Sequence, residues 1–138
     1  MAIELTTLDG TRVSAFCFGA MQFGIGADRA ASEDMYTACR NAGINFFDTA
    51  YGYSDGLSET WLGDMVRRER DTVFFASKVA SSGGSGRQNI LAQFDESRHR
   101  HKLECVDGLY LHRWDPHTPL EETFETLAGL KDAGKIRY

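Results

Sequence analysis

Apolar positions along this chain come in short runs, each followed by a stretch in which they recur every three or four residues. The runs Phe16–Met21, Ile44–Ala50, Val73–Val79 and Val106–His112 are rich in β-branched and aromatic side chains and read as buried strands. The periodic stretches predict helices over about 32–42, 58–68, 87–103 and from Thr118 to Ala133. Residues 3–15 read as a hairpin around Asp9-Gly10, and Lys135–Tyr138 begins a fifth strand. Asn41-Ala42-Gly43 stops the first helix at a glycine suited to left-handed backbone, and Thr118-Pro119-Leu120-Glu121 predicts an N-cap Thr, Pro at N1 and Glu at N3. Ser81-Ser82-Gly83-Gly84-Ser85-Gly86 reads as a flexible connection. An apolar stripe is expected on the third helix at 87, 91, 94, 98 and 101; Arg98 and His101 break it, so that helix end is expected in solvent or against a partner.

Strands alternating with helices predict a parallel sheet with right-handed crossovers. The strand starts at 16, 44, 73, 106 and 135 lie 28, 29, 33 and 29 residues apart. That spacing is close to the ~30 residues per unit of an eightfold (β/α)₈ barrel. An open doubly wound sheet shares the alternation. No GxGxxG follows the first run, where the chain reads Phe18-Gly19-Ala20-Met21-Gln22-Phe23-Gly24. Spacing alone leaves both architectures open.

Composition narrows the class. The chain has 138 residues, a net charge of −5 and 42% apolar residues, which suits one soluble domain. No apolar stretch approaches the ~20 residues that cross a membrane, so no membrane partner is expected. The N-terminal segment lacks a basic region followed by an apolar one. Cys17, Cys39 and Cys105 are an odd number without a CxxC pair, which reads as a reduced, cytoplasmic chain. The acidic balance argues against nucleic acid as the main partner.

Candidate chemistry sits where the runs end. They close on Asp48, Lys78 and His112, with Tyr53 in the loop after the second, and functional side chains of parallel βα arrays lie at these carboxyl ends. If they converge, Asp48 holds Lys78 charged, and an ammonium beside a phenol favours its ionised form, which makes Tyr53 a candidate proton donor. Tyr51 is a rival by proximity. No metal site is expected: His99 and His101 are two apart on a helix, and His112 and His117 have only Asp115 nearby. Cys39 and Cys105 read as small apolar fillers, Arg67-Arg68-Glu69-Arg70-Asp71 as a solvated helix end, and Gly108 as a position leaving little bulk inside a barrel.

Asn45-Phe46-Phe47-Asp48-Thr49-Ala50, a tyrosine five residues after that aspartate, Ala76-Ser77-Lys78 and Leu109-Tyr110-Leu111-His112-Arg113 resemble the signature segments of the aldo-keto reductases. Thr118–Thr123 and Gly134–Tyr138 are similar to the branch containing potassium-channel β subunits and many bacterial reductases. The resemblance implies an NADPH-dependent carbonyl reductase acting on a small-molecule carbonyl, with a tetrad at Asp48, Tyr53, Lys78 and His112. It favours Tyr53 over Tyr51 as proton donor and implies nicotinamide contacts at Ala20, Met21 and Asp48. Residues 1–138 would then be the N-terminal part of a single barrel domain: the hairpin, four βα units and the first residues of a fifth. Phosphate and adenosine contacts would come mainly from the other half. Such a half-barrel is expected to self-associate through its open edges and interior. A regulatory module reading nicotinamide redox state would use the same site, and a non-catalytic scaffold would not; turnover, saturable binding alone, or neither separates the three.

Overall fold

Each apolar run contributes a strand and each periodic stretch a helix in the computed structural model, which describes residues 3–138. The elements are β1 (Cys17–Gly19), α1 (Arg29–Asn41), β2 (Phe46–Asp48), α2 (Leu57–Val66), β3 (Phe74–Val79), α3 (Arg87–His101), β4 (Gly108–Leu111) and α4 (Leu120–Asp132). The strands form one parallel sheet in chain order, with Phe46 beside Cys17, Phe74 beside Phe46, and Gly108 beside Ala76. That order never reverses. A doubly wound sheet requires a reversal at its switch point, so these are consecutive units of a (β/α)₈ barrel, covering part of it.

At the far edge, Val106 bridges parallel to Ile136, and the Leu109 N–H donates to the Tyr138 carbonyl at 3.0 Å, so the fifth strand starts where the spacing places it. The hairpin forms around a Thr6–Arg12 antiparallel bridge, with Gly10 at φ +86° in its turn. Arg137 reaches back from the fifth strand to the Thr6 carbonyl at 2.6 Å.

The pleat divides the sheet's side chains between two faces. Phe47, Phe75 and Val79 point to the helices and are fully buried against Tyr36, Leu62, Val66, Ile90 and Phe94. Each such side chain contributes about 1.5–3 kcal/mol by leaving water. The opposite face carries Phe46, whose ring meets Phe74 edge-on at 4.8 Å, and Phe74 in turn stacks on Tyr138 at 5.9 Å. Gly108 is explained here: a Cβ would lie 3.3 Å from both Ala76 Cβ and a Phe74 ring carbon, so the phenyl ring occupies the room the missing side chain leaves.

Several local expectations are corrected. Helix α1 starts three residues early, because the Asp28 carboxylate accepts the Ala31 N–H at 2.9 Å and caps it. Helix α4 starts at Leu120 after Pro119, and the Thr118 hydroxyl caps nothing. It donates instead to Asp115 at 2.6 Å, a carboxylate that also accepts N–H groups of Ser85 and His117 and is held down to about 2 by these three donors. The segment 67–71 is a solvated helix end only at Arg67, Arg68 and Asp71, which are exposed. Glu69 accepts the Tyr36 hydroxyl at 2.6 Å and pairs with Arg40, while Arg70 pairs with the fully buried Asp107 at 2.7 Å.

The buried line of α3 is Ile90, Gln93, Phe94, Ser97 and His101: Phe94 and His101 lie on the expected stripe, while Ile90, Gln93 and Ser97 each sit one position before a member of it. His101 does not reach solvent. It is fully buried with its ring 5.1 Å from that of Phe75, its Nδ1 accepts the Leu103 N–H, and burial pushes its pKa down to about 3, leaving it neutral. Arg98 keeps part of its surface exposed and extends toward Glu104.

Candidate active site

The strands' parallel register places residues at the carboxyl end of each on one face. Asp48 ends β2, Lys78 is penultimate in β3, and His112 follows β4, its N–H donating to the Val79 carbonyl at 2.8 Å. Lys78 Nζ pairs with Asp48 Oδ2 and donates to the Thr49 carbonyl at 2.9 Å. It also donates to the Tyr53 hydroxyl at 3.3 Å. The His112 ring stands edge-on to Tyr53, with centroids 5.5 Å apart and planes at 88°. All four residues singled out in the sequence therefore meet.

The rival phenol is drawn elsewhere. The Tyr51 ring lies under the Arg100 guanidinium at 4.6 Å, while its N–H donates to the Lys78 carbonyl. Tyr53, not Tyr51, meets the lysine.

His112 has its pKa lowered, first by burial and then by the neighbouring charges of Lys78 and Arg113, so the imidazole is neutral at neutral pH. Its Nδ1 is buried and without a hydrogen-bond partner. On the β1 side, Ala20 is fully buried, its N–H donating to the Asp48 carbonyl at 2.8 Å and its carbonyl accepting the Ser58 hydroxyl at 2.7 Å. Met21 is 48% exposed, whereas Ala20 presents no surface of its own. A hydroxyl that accepts from an ammonium and faces a neutral imidazole can give its proton to an oxygen arriving at this end of the sheet.

The sequence reading missed the layer beneath. Glu59 has no exposed surface, accepts the Ser77 hydroxyl at 2.6 Å and pairs with Arg100 at 3.2 Å; burial raises its pKa, and the Ser77 and Arg100 donors oppose that. The signal was present: 59, 62 and 66 share a helix face, and Leu62 and Val66 are apolar. Nothing local named its partner. Among the described residues, no group of three or more His, Cys, Asp or Glu is placed to hold a metal ion, and no helix is long and apolar enough to cross a membrane.

Known proteins resemble this chain in sequence and fold. The chain is 32% identical to norsolorinic acid reductase B of Aspergillus parasiticus, a match over 98% of this chain and 41% of that protein. It is 34% identical to a "probable voltage-gated potassium channel subunit beta" of Oryza sativa subsp. japonica, over 94% of this chain and 42% of that one. The chain thus spans about two fifths of the length of the curated relatives it matches. Among solved structures, the holo form of an aldo-keto reductase from Bacillus halodurans superposes with a TM-score of 0.83 at 26% identity, covering 100% of this chain and 49% of that one. The family model for the aldo/keto reductases matches residues 15–138. With that match over most of its length, the chain belongs to the aldo/keto reductase family.

Proposed function

We propose that these residues form the proton-transfer side of a reductase that converts an aldehyde or ketone to an alcohol with NADPH. The observation that carries this reading is Lys78 bridging the Asp48 carboxylate and the Tyr53 hydroxyl, with His112 edge-on beside the phenol. Tyr53 gives the proton to the carbonyl oxygen. Lys78, kept charged by Asp48, favours the phenolate left behind, and general-acid assistance of this kind contributes about 10²–10⁴ in rate. Neutral His112 orients the carbonyl oxygen by a hydrogen bond from an imidazole N–H.

The site fits the nicotinamide end of the cofactor. Exposed Met21 offers a ring an apolar face and Asp48 a carboxylate at the sheet's carboxyl end, while Ala20, with no exposed surface, offers no contact of its own. NADPH supplies the hydride. The cations beside Tyr53 and Tyr51, Lys78 and Arg100, are already paired with Asp48 and Glu59, so the phosphates are expected to be held outside this group of residues. The name of the fungal relatives supports reduction. The plant relatives' name supports a second reading, a nicotinamide-binding regulatory module using the same site. The free cysteines Cys17, Cys39 and Cys105 support a cytoplasmic location.

The test is NADPH oxidation with an aromatic aldehyde by a catalytically complete form and its Tyr53→Phe variant. Reduction is expected to fall by at least ~10² with cofactor affinity little changed. Turnover close to wild type in Tyr53→Phe would remove Tyr53 from the mechanism, and saturable binding without turnover would favour the regulatory module.

A further inference from the structure

The segment after Tyr53 is strained. Ser54, Asp55 and Gly56 follow one another at φ +54°, +51° and +92°. Only glycine takes such backbone freely, and the two others persist there only where their surroundings over-determine it. From the helix layer, Arg100 of α3 grips this segment on both sides of Tyr53. One guanidinium nitrogen donates to the Tyr51 carbonyl at 2.8 Å and to Glu59 at 3.2 Å. The guanidinium plane covers the Tyr51 ring at 4.6 Å. Its Nε edge lies so close to Gly56 that a Cβ there would sit 2.5 Å away.

The anchor behind this grip is buried and shared with the lysine's strand. Glu59 accepts the hydroxyl of Ser77, the residue before Lys78, and the Lys78 carbonyl accepts the Tyr51 N–H at 2.9 Å. Arg100 thus connects the loop carrying the phenol, through Tyr51 and Gly56, to the strand carrying the ammonium, through Glu59 and Ser77. We propose that Arg100 is a positioning residue: it holds Tyr51–Gly56 in its strained course and thereby keeps the Tyr53 hydroxyl against Lys78 and His112. The catalytic consequence rests on the reductase reading above; the geometric one does not. A planar fork that both stacks and donates is needed here, and a lysine keeps only the charge.

The experiment compares wild type, Arg100→Met, Arg100→Lys and the double variant Glu59→Gln/Arg100→Met. The double variant removes both charges and so avoids stranding a buried carboxylate if Arg100→Met alone fails to fold. Amide exchange by NMR on the 138-residue chain reads the loop. The Tyr53 N–H, bonded to the Ala50 carbonyl, and the Gly56 N–H, bonded to the Tyr53 carbonyl, are expected to exchange roughly tenfold faster in both Met variants. The Leu109 N–H on β4 is expected to stay protected. In a catalytically complete form, kcat falls roughly ten- to a hundredfold, the KM for NADPH stays within about twofold, and Arg100→Lys recovers part of the loss. Unchanged exchange at Tyr53 and Gly56 in folded variants overturns the proposal, and so does a loosened loop with unchanged kcat. A wild type that reduces no carbonyl refutes the reductase reading instead, and the exchange rates alone then decide whether Arg100 holds Tyr53 in place.

Discussion

Lys78 meets Tyr53 across 25 positions of sequence, its ammonium 3.3 Å from the phenol oxygen and 4.8 Å from the ring centroid. The contact exists because β2 and β3 run parallel in register, which brings Asp48 and Lys78 to the same face one rung apart. The phenol then enters from the loop above. This is a relationship between strand ends, and its consequences can be measured.

Replacing Lys78 by Met removes the donor to the phenol and leaves Asp48 unpaired. Carbonyl reduction by a catalytically complete form is expected to fall by about 10² or more. Asp48→Asn, which leaves the ammonium in place, should act in the same direction and less strongly. Single-turnover rates at saturating NADPH measure this step. A Lys78→Met enzyme as fast as wild type would dismiss the lysine from proton transfer.

Acid stability should depend on His101. Its folded pKa, about 3, lies below the ordinary histidine value of 6.5, so the unfolded chain binds the proton more tightly. Stability is therefore fully present above about 6.5 and is lost progressively as pH falls toward about 3. Urea midpoints of wild type and His101→Leu, compared from pH 7 to pH 4, isolate this contribution from that of the carboxylates. The gap between them is expected to move in favour of the leucine variant on acidification, and a constant gap would contradict it.

Helix α2 crosses α3 at Gly63, where an added Cβ would lie 2.5 Å from the His101 Cα. Backbone cannot yield as a flexible side chain does. Gly63→Ala is expected to destabilise by about 1–3 kcal/mol despite alanine's better helix propensity. Thermal unfolding followed by circular dichroism checks this, with an unchanged midpoint as the contrary result.

Asp107 closes the opposite end of the sheet. With no exposed surface, it pairs at 2.7 Å with both Arg70 and Arg137 and accepts the Phe75 N–H at 2.9 Å. Asp107→Asn leaves two partly buried guanidinium groups without their carboxylate, at an expected cost of about 3–5 kcal/mol. Denaturant titration should show the loss, together with faster exchange of the Tyr138 N–H, which is bonded to the Asp107 carbonyl.

The 138-residue chain is expected to self-associate and to bind NADPH far more weakly than micromolar. Phe124 is 60% and Tyr110 47% exposed, on α4 and on the inner face of the sheet. Losing roughly 4 kcal/mol of contacts to the rest of the dinucleotide weakens binding about a thousandfold. Sedimentation and fluorescence titration of one sample test both parts. A monodisperse monomer with micromolar affinity would contradict both, and Phe124→Glu should shift an associating sample toward monomer.

What the sequence determined by itself was the order of elements and which polar residues close the strands. Short continuous apolar runs and period-3.6 stretches are local properties, and the residues closing three of the runs, Asp48, Lys78 and His112, are at strand ends whatever the sheet's closure. Tyr53 could be named from its spacing to Asp48 through the family resemblance, but its separation from Tyr51 became physical only when Arg100 took one phenol and Lys78 the other. The fate of the polar residues was decided by tertiary structure. His101 was read as a surface group and is buried as a neutral ring against Phe75; Arg70 and Glu69 were read as solvated and pair with Asp107 and Arg40. Thr118 was read as a cap and serves Asp115. A buried apolar side chain needs only to leave water, which its own pattern announces. A buried polar one needs a specific partner, and those of Glu69 and Arg70, Arg40 and Asp107, lie far away in sequence, where no local pattern reaches.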